Sequence, residues 1–223
     1  MDEVNPAVRA DSLRERLIDA GVGLVMTEGP ASLGLREIAR RAGVSHGAPR
    51  RYFPTHHALL SAIARRGFTA LAARFETATE AAQTPRGQLR GLADAFLDYA
   101  DEHGGMFELM FRHDLLDSEV HASDAGACAP DRPRLREATL PLFARLVELV
   151  TQDRAHRTEG DDGPSYDSAP PPALTAAALW TNLHGIAVLR ASGSLPLAFP
   201  GAGEETAPLV TAVLDAHLGR ADA

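Results

Sequence analysis

Residues 32–60 read SLGLREIARRAGVSHGAPRRYFPTHHALL. Apolar side chains fall at Leu35, Ile38, Ala39, Ala42 and Val44. That spacing makes one face of a short helix, with arginines on the other. Gly43 follows, where a left-handed helix stop favours glycine. Ser45 offers an N-cap oxygen to a second short helix over 46–52. Helix, glycine turn and capped helix make the pattern of a DNA-reading helix-turn-helix.

Charge points the same way. From Arg36 to Arg66 there are seven arginines against one acid, Glu37, while the whole chain is −8. The remainder therefore carries 15 arginines against 29 acids. A basic island in an acidic chain marks where a polyanion would dock and where it would be repelled. In the reading helix, Ser45 and His46 can donate or accept, and Gly47 and Ala48 admit close approach. Ala48 could meet a thymine methyl, and Arg50 and Arg51 suit phosphate or guanine. Arg36 belongs with them. Pro49 is expected to tighten the first turn. Phe53 reads as core. Tyr52 reads equally as core and as DNA contact.

These residues resemble the N-terminal domain of TetR-family transcriptional repressors over roughly residues 8–66. The matching runs are Leu35-Arg36-Glu37-Ile38-Ala39-Arg40-Arg41-Ala42-Gly43-Val44-Ser45 and Phe53-Pro54-Thr55-His56-His57-Ala58-Leu59-Leu60. The family usually carries a tyrosine where this chain has Arg50, and a lysine where it has His56. Both family residues usually touch phosphates. With His56 beside phosphate, DNA affinity is expected to rise as pH falls.

The rest of the chain reads as helices over 7–28, 56–81, 86–103, 106–116, 134–154, 173–192 and 204–218. Thr55 is a good N-cap for the second of these. Pro141 should kink or split the 134–154 helix. Residues 117–133 read as a loop, and the acidic, Pro/Gly/Ser-rich stretch 155–172 as disordered. No strand pattern persists. The expected fold is all-α: a three-helix DNA-binding domain over 1–55 and a larger helical domain for ligand binding and dimerisation over 56–223.

Trp180-Thr181-Asn182-Leu183-His184-Gly185 resembles the Trp-x-x-x-His-Gly segment of one TetR-family branch, in a helix that borders the effector pocket and joins the dimer interface. Trp180 and His184 share a helix face, and Gly185 would allow close helix approach. Aromatic, Met and His residues also recur at Phe96, Tyr99, His103, Met106, Phe107, Met110, Phe111 and His113. With Phe143, Trp180 and His184 they are the candidate ligand lining, a few polar groups in an apolar wall. Each one taken singly also reads as ordinary core. The dimer surface should come from helices 173–192 and 204–218.

Catalysis finds little support. There is no phosphate-cradling glycine motif, nucleophile elbow or zinc-protease helix. The spacing of His103, His113 and Asp114 matches no metal-ligand rule. No cofactor or metal is implied. The single cysteine, Cys128, cannot form an internal disulfide, which fits a reducing cytoplasm. No run of about 18 apolar residues suggests a membrane span, and the acidic N-terminus is not a secretory signal. The expected activity is a cytoplasmic, ligand-released repressor that binds a palindromic operator as a homodimer. The alternatives are a constitutive DNA-binding protein of this fold, and a helical small-molecule-binding protein or enzyme.

Overall fold

The computed structural model describes residues 6–112, 115, 135–158, 169–198 and 206–220. These form α1 (Pro6–Glu28), a 3-10 turn (Pro30–Ser32), α2 (Leu35–Arg41), α3 (Pro49–Tyr52), α4 (His56–Glu80), α5 (Pro85–Glu102) and α6 (Gly104–Met110). Then come α7 (Leu135–Thr158), α8 (Pro172–Ala191), α9 (Leu195–Ala198) and α10 (Ala207–Leu218). No strand occurs among the described residues. His113, Asp114, Cys128 and the expected loop over 117–133 lie outside them.

Two compact units divide the chain. One comprises the described residues of Met1–Thr69 and His103–Ala138, the other those of Ala70–Glu102 and Thr139–Ala223. The division therefore falls inside α4, whereas the sequence placed a boundary at its start.

In the first unit, α1 carries α2, α3, the 3-10 turn and α6. Its buried side chains include Leu17, Ile18, Leu24 and Val25, and Ile38, Ile63, Phe68 and Met110 are buried in the same unit. α6 begins at Gly104, two residues before the expected start at 106, and the break from α5 lies at His103 (φ −127°, ψ 41°). Gly105 explains why glycine opens this helix. A Cβ there would sit 2.6 Å from the Val25 carbonyl oxygen and 3.2 Å from Gly29 Cα. Only a residue without a side chain lets α6 lie this close to the end of α1.

In the second unit, α8 packs on α5 and α10, and α10 also packs on α5. The expected α5 face, Leu89, Leu92, Ala93, Phe96 and Tyr99, is buried, together with Leu97 and Ala100. α8 has the length and composition to cross a membrane, with mean hydropathy 1.2. It differs from the expectation of no such run, and its buried residues Thr175, Ala176, Leu179, Leu183, Ile186 and Ala187 face other helices of this unit.

α7 continues through Pro141 without a split, the proline lying inside one helix. Proline removes one helical N–H and so frees the carbonyl of Glu137. Both residues are exposed, so the proline stands on the side of the helix that solvent reaches, where a freed carbonyl costs least. α7 also runs on through 155–158, the start of the stretch expected to be disordered. Arginines hold its end. Arg154 donates to the Pro170 carbonyl at 2.6 Å and to Thr175 Oγ1 at 2.7 Å. Arg157 donates to the carbonyls of Leu218, Gly219 and Arg220 at the end of α10.

Asp153 sits beside this latch and is 4% exposed. Its Oδ2 lies 3.6 Å from Arg157 Nε, and that oxygen accepts no hydrogen bond among the described residues. Burial holds its carboxyl above the ordinary value of 3.8, outweighing the attraction of Arg157 and Arg86. Folded protein thus binds this proton more tightly than unfolded chain does. The stabilisation is fully present below the ordinary value and is lost as pH climbs through the raised one. Asp153→Asn removes this dependence. The stability difference between wild type and variant should move in favour of wild type as pH is lowered from about 7 to about 4. Urea unfolding at both pH values checks this, and a flat difference would exclude a raised Asp153.

Candidate nucleic-acid interface and effector site

The helix-turn-helix is built from backbone hydrogen bonds around one glycine. Gly43 has φ 66°. Val44 N–H donates to the Ala39 carbonyl at 3.0 Å and Gly43 N–H to that of Arg40 at 3.1 Å. These are the paired bonds of a glycine-terminated helix end. Arg16 of α1 adds a bond from its guanidinium to the Ala42 carbonyl at 2.6 Å. Phe53 is buried as expected, with the Arg14 guanidinium 5.3 Å from its ring centroid. Tyr52 is half-buried.

The reading helix is shorter than its sequence suggested. α3 is only Pro49–Tyr52, and Ala48 is its capping residue. Ser45 through Ala48 form a turn, closed by Ala48 N–H donating to the Ser45 carbonyl at 2.9 Å. Ser45 thus contributes its backbone oxygen, and its hydroxyl does not cap α3. Gly47 disfavours helix in this turn, and Pro49 is suited to the first helical position. Ala48 is 9% exposed and faces inward, which removes it from the surface where a thymine methyl would lie. Ser45, His46 and Gly47 are exposed, as are Arg36, Arg50 and Arg51.

Acids of the same unit neutralise much of the basic island. Arg40 pairs with Glu37 and Arg41 with Glu28. Arg66 pairs with Glu15 and lies 3.8 Å from Asp19. The Arg40 hydrogen bond holds the Glu37 carboxyl below its ordinary range. Arg36, Arg50 and Arg51 enter no ion pair among the described residues. Net positive charge therefore concentrates on the turn and short helix where the sequence placed base and phosphate contacts. His56 behaves differently. Its ring Nε2 lies 2.6 Å from the Leu33 carbonyl oxygen, and Thr55 Oγ1 caps α4 by accepting from Ala58 N–H at 3.0 Å.

The expected ligand lining is split between the units. His103, Phe107, Met110 and Phe111 belong to the first unit. There the Phe107 and Phe111 rings are 4.8 Å apart, and Phe68 meets Phe111 edge-on at 5.5 Å. Met106, Phe107 and Met110 are buried, so this group is core of that unit. Phe96, Tyr99, Phe143, Trp180 and His184 belong to the second. Phe96 is fully buried, with its ring 4.9 Å from that of Trp180. Burial pushes the Tyr99 phenol up to about 12, and Arg74 lies 5.2 Å from its ring centroid. Phe143, Trp180 and His184 are half-buried. Burial lowers the His184 imidazole, so it is neutral at neutral pH. Asn182 faces elsewhere, donating to the Ala178 carbonyl at 2.8 Å and lying 3.1 Å from His217 Nε2. A hypothetical Cβ on Gly185 would meet nothing within 4 Å, so the expected close helix approach there does not occur within the described chain. An open groove of about 460 Å³ lies along α4 and α5, rimmed by Arg74, Asp98 and Glu102. None of the candidate lining residues borders it.

A helix-turn-helix with uncommitted cations, followed by a helical body, defines a helix-turn-helix DNA-binding protein. Residues 17–63 match the family described as bacterial regulatory proteins, tetR family, and residues 89–217 match the tetracyclin repressor-like C-terminal domain. The chain belongs to the TetR family of transcriptional regulators. A protein of unknown function from Rhodococcus sp. RHA1 is 30% identical, with 92% of this chain and 93% of that one covered and a TM-score of 0.67. The fatty acid degradation regulator FadR from Bacillus halodurans is 14% identical, with 92% and 94% covered and a TM-score of 0.60. RolR in complex with resorcinol is 19% identical, with 83% and 82% covered and a TM-score of 0.57. The last two likenesses are of fold. No curated protein matches the sequence.

Proposed function

We propose that this regulator is a ligand-released repressor that binds a palindromic operator as a homodimer. The carrying observation is that Arg36, Arg50 and Arg51 stay exposed and unneutralised while neighbouring arginines are paired. One short reading helix covers too little of a major groove to be selective, and two-fold pairing doubles the contacts. α8 and α10 supply the pairing surface. α8 leaves Leu174, Val188 and Leu189 exposed at 59%, 47% and 40%, with Gly185 open between them. The same surface on a second copy would cover them.

The effector is small, uncharged and mostly apolar, and it sits beside Trp180 in the second unit. Phe96 and Phe143 offer apolar wall, while Tyr99 and His184 are neutral and can hydrogen-bond. A charged ligand would need a buried counter-charge. A protein of the same fold, RolR, holds resorcinol. Effector binding favours head spacings that no longer match successive major grooves, and operator affinity falls.

Selection of bound sequences from random DNA should return an inverted repeat bound by two copies. A compound screen against that duplex should then find ligands that release DNA and change Trp180 fluorescence. Trp180→Phe or His184→Ala should weaken release and leave ligand-free binding near normal. A single half-site bound by one copy would refute the dimeric reading. Unchanged release in both variants would place the effector elsewhere.

A further inference from the structure

The resemblance puts a phosphate-touching lysine where this chain has His56, yet the ring here is turned onto protein. Nε2 lies 2.6 Å from the Leu33 carbonyl oxygen. A carbonyl only accepts, so Nε2 carries the proton and donates. Leu33 is 2% exposed and stands two residues before α2. Gly34, which precedes α2 directly, gives that helix no side-chain cap. On the other side, His56 is the first residue of α4 and sits in a turn fixed by the Thr55 cap. One ring therefore joins the start of α4 to the strand of chain that launches α2.

We propose that His56 is a positioning residue for operator reading: it sets where α2, and with it α3, stands relative to α4, and it does not neutralise phosphate. The cation absent from this position is carried instead by Arg50, which is exposed and enters no ion pair among the described residues. The inference rests on the DNA-binding reading above, and its test includes an arm without DNA.

The probe is the duplex recovered by selection from random sequence, titrated at several salt concentrations at about pH 6, where a histidine in contact with phosphate would be protonated and would count in the slope. His56→Ala should weaken binding by about three- to tenfold at every salt, the scale of one hydrogen bond, with the slope of log K against log salt unchanged. His56→Gln, whose terminal amide can donate to the same carbonyl, should recover most of the loss. Arg50→Ala should flatten the slope by about 0.9 per protomer. A His56→Ala slope flattened by that amount overturns the proposal, as does failure of His56→Gln to recover affinity. Without DNA, nitrogen NMR of His56 should show the proton on Nε2. Amide exchange in α2 should quicken in His56→Ala relative to α5 and return in His56→Gln. Should the wild type bind no duplex, the DNA reading fails and this second arm decides alone. Unchanged α2 exchange there overturns the strut.

Discussion

Replacing Arg50 and Arg51 together with alanine should flatten the salt dependence of DNA binding by about 1.8 units per protomer. Each phosphate neutralised by a cation releases condensed counterions, and the slope counts them at about 0.9 each. These two guanidiniums are the best candidates on the chain. They are exposed on the last turn of α3 and pair with no acid among the described residues. The gap between wild type and variant should narrow about twelvefold per protomer between roughly 50 and 200 mM salt. Arg40→Ala makes an informative control, because Glu37 already offsets that charge. Anisotropy titrations at four or more salt concentrations suffice. Parallel lines for wild type and double variant would remove both arginines from the interface.

Phe96→Ala should cost about 3–5 kcal/mol of stability, the range for emptying a large aromatic site in a packed core. Phe96 is 0% exposed and its ring lies 4.9 Å from that of Trp180. The urea midpoint should fall with an unchanged m value, and Trp180 emission in the folded state should shift. The magnitude also decides what surrounds the ring. A loss under about 1 kcal/mol would mean that Phe96 already borders open space, since deleting a side chain beside a cavity forfeits few contacts. A full loss makes it closed core, packed all round behind the Trp180 ring.

Local chemistry carried much of the architecture into view. The apolar spacing from Leu35 to Ala42, the left-handed Gly43 and the Thr55 cap are all short-range, and all appear in the fold. The α5 face was legible for the same reason, since it repeats at helical period. What escaped depends on distant partners. Arg154 and Arg157 extend α7 by bonding residues far along the chain, and no periodicity reports that. Spacing placed Tyr99 and Phe107 in one candidate lining, but the break at His103 assigns them to different units. His56 kept its place in the motif and changed its partner, because ring direction is decided by a carbonyl 23 residues away. Ser45 looked like a cap until Gly47 and Pro49 moved the helix start past it.

The bonds from Arg157 to the end of α10 bear on what kind of helix α10 is. At twelve residues it is near the shortest length at which an isolated helix persists in water, since nucleation fixes several residues for a single hydrogen bond. The aligned peptide dipoles leave roughly half a negative charge at its last turn, and Arg157 sets a cation there. Thr206, just before its first turn, makes no side-chain cap. α10 is thus helical by context: α5 and α8 order it along its length, and α7 holds its far end. A peptide copied from residues 207–218 would be largely coil and would present no preformed surface. The surface of α10 cannot be transplanted as a segment; it exists only as a property of the folded unit around it.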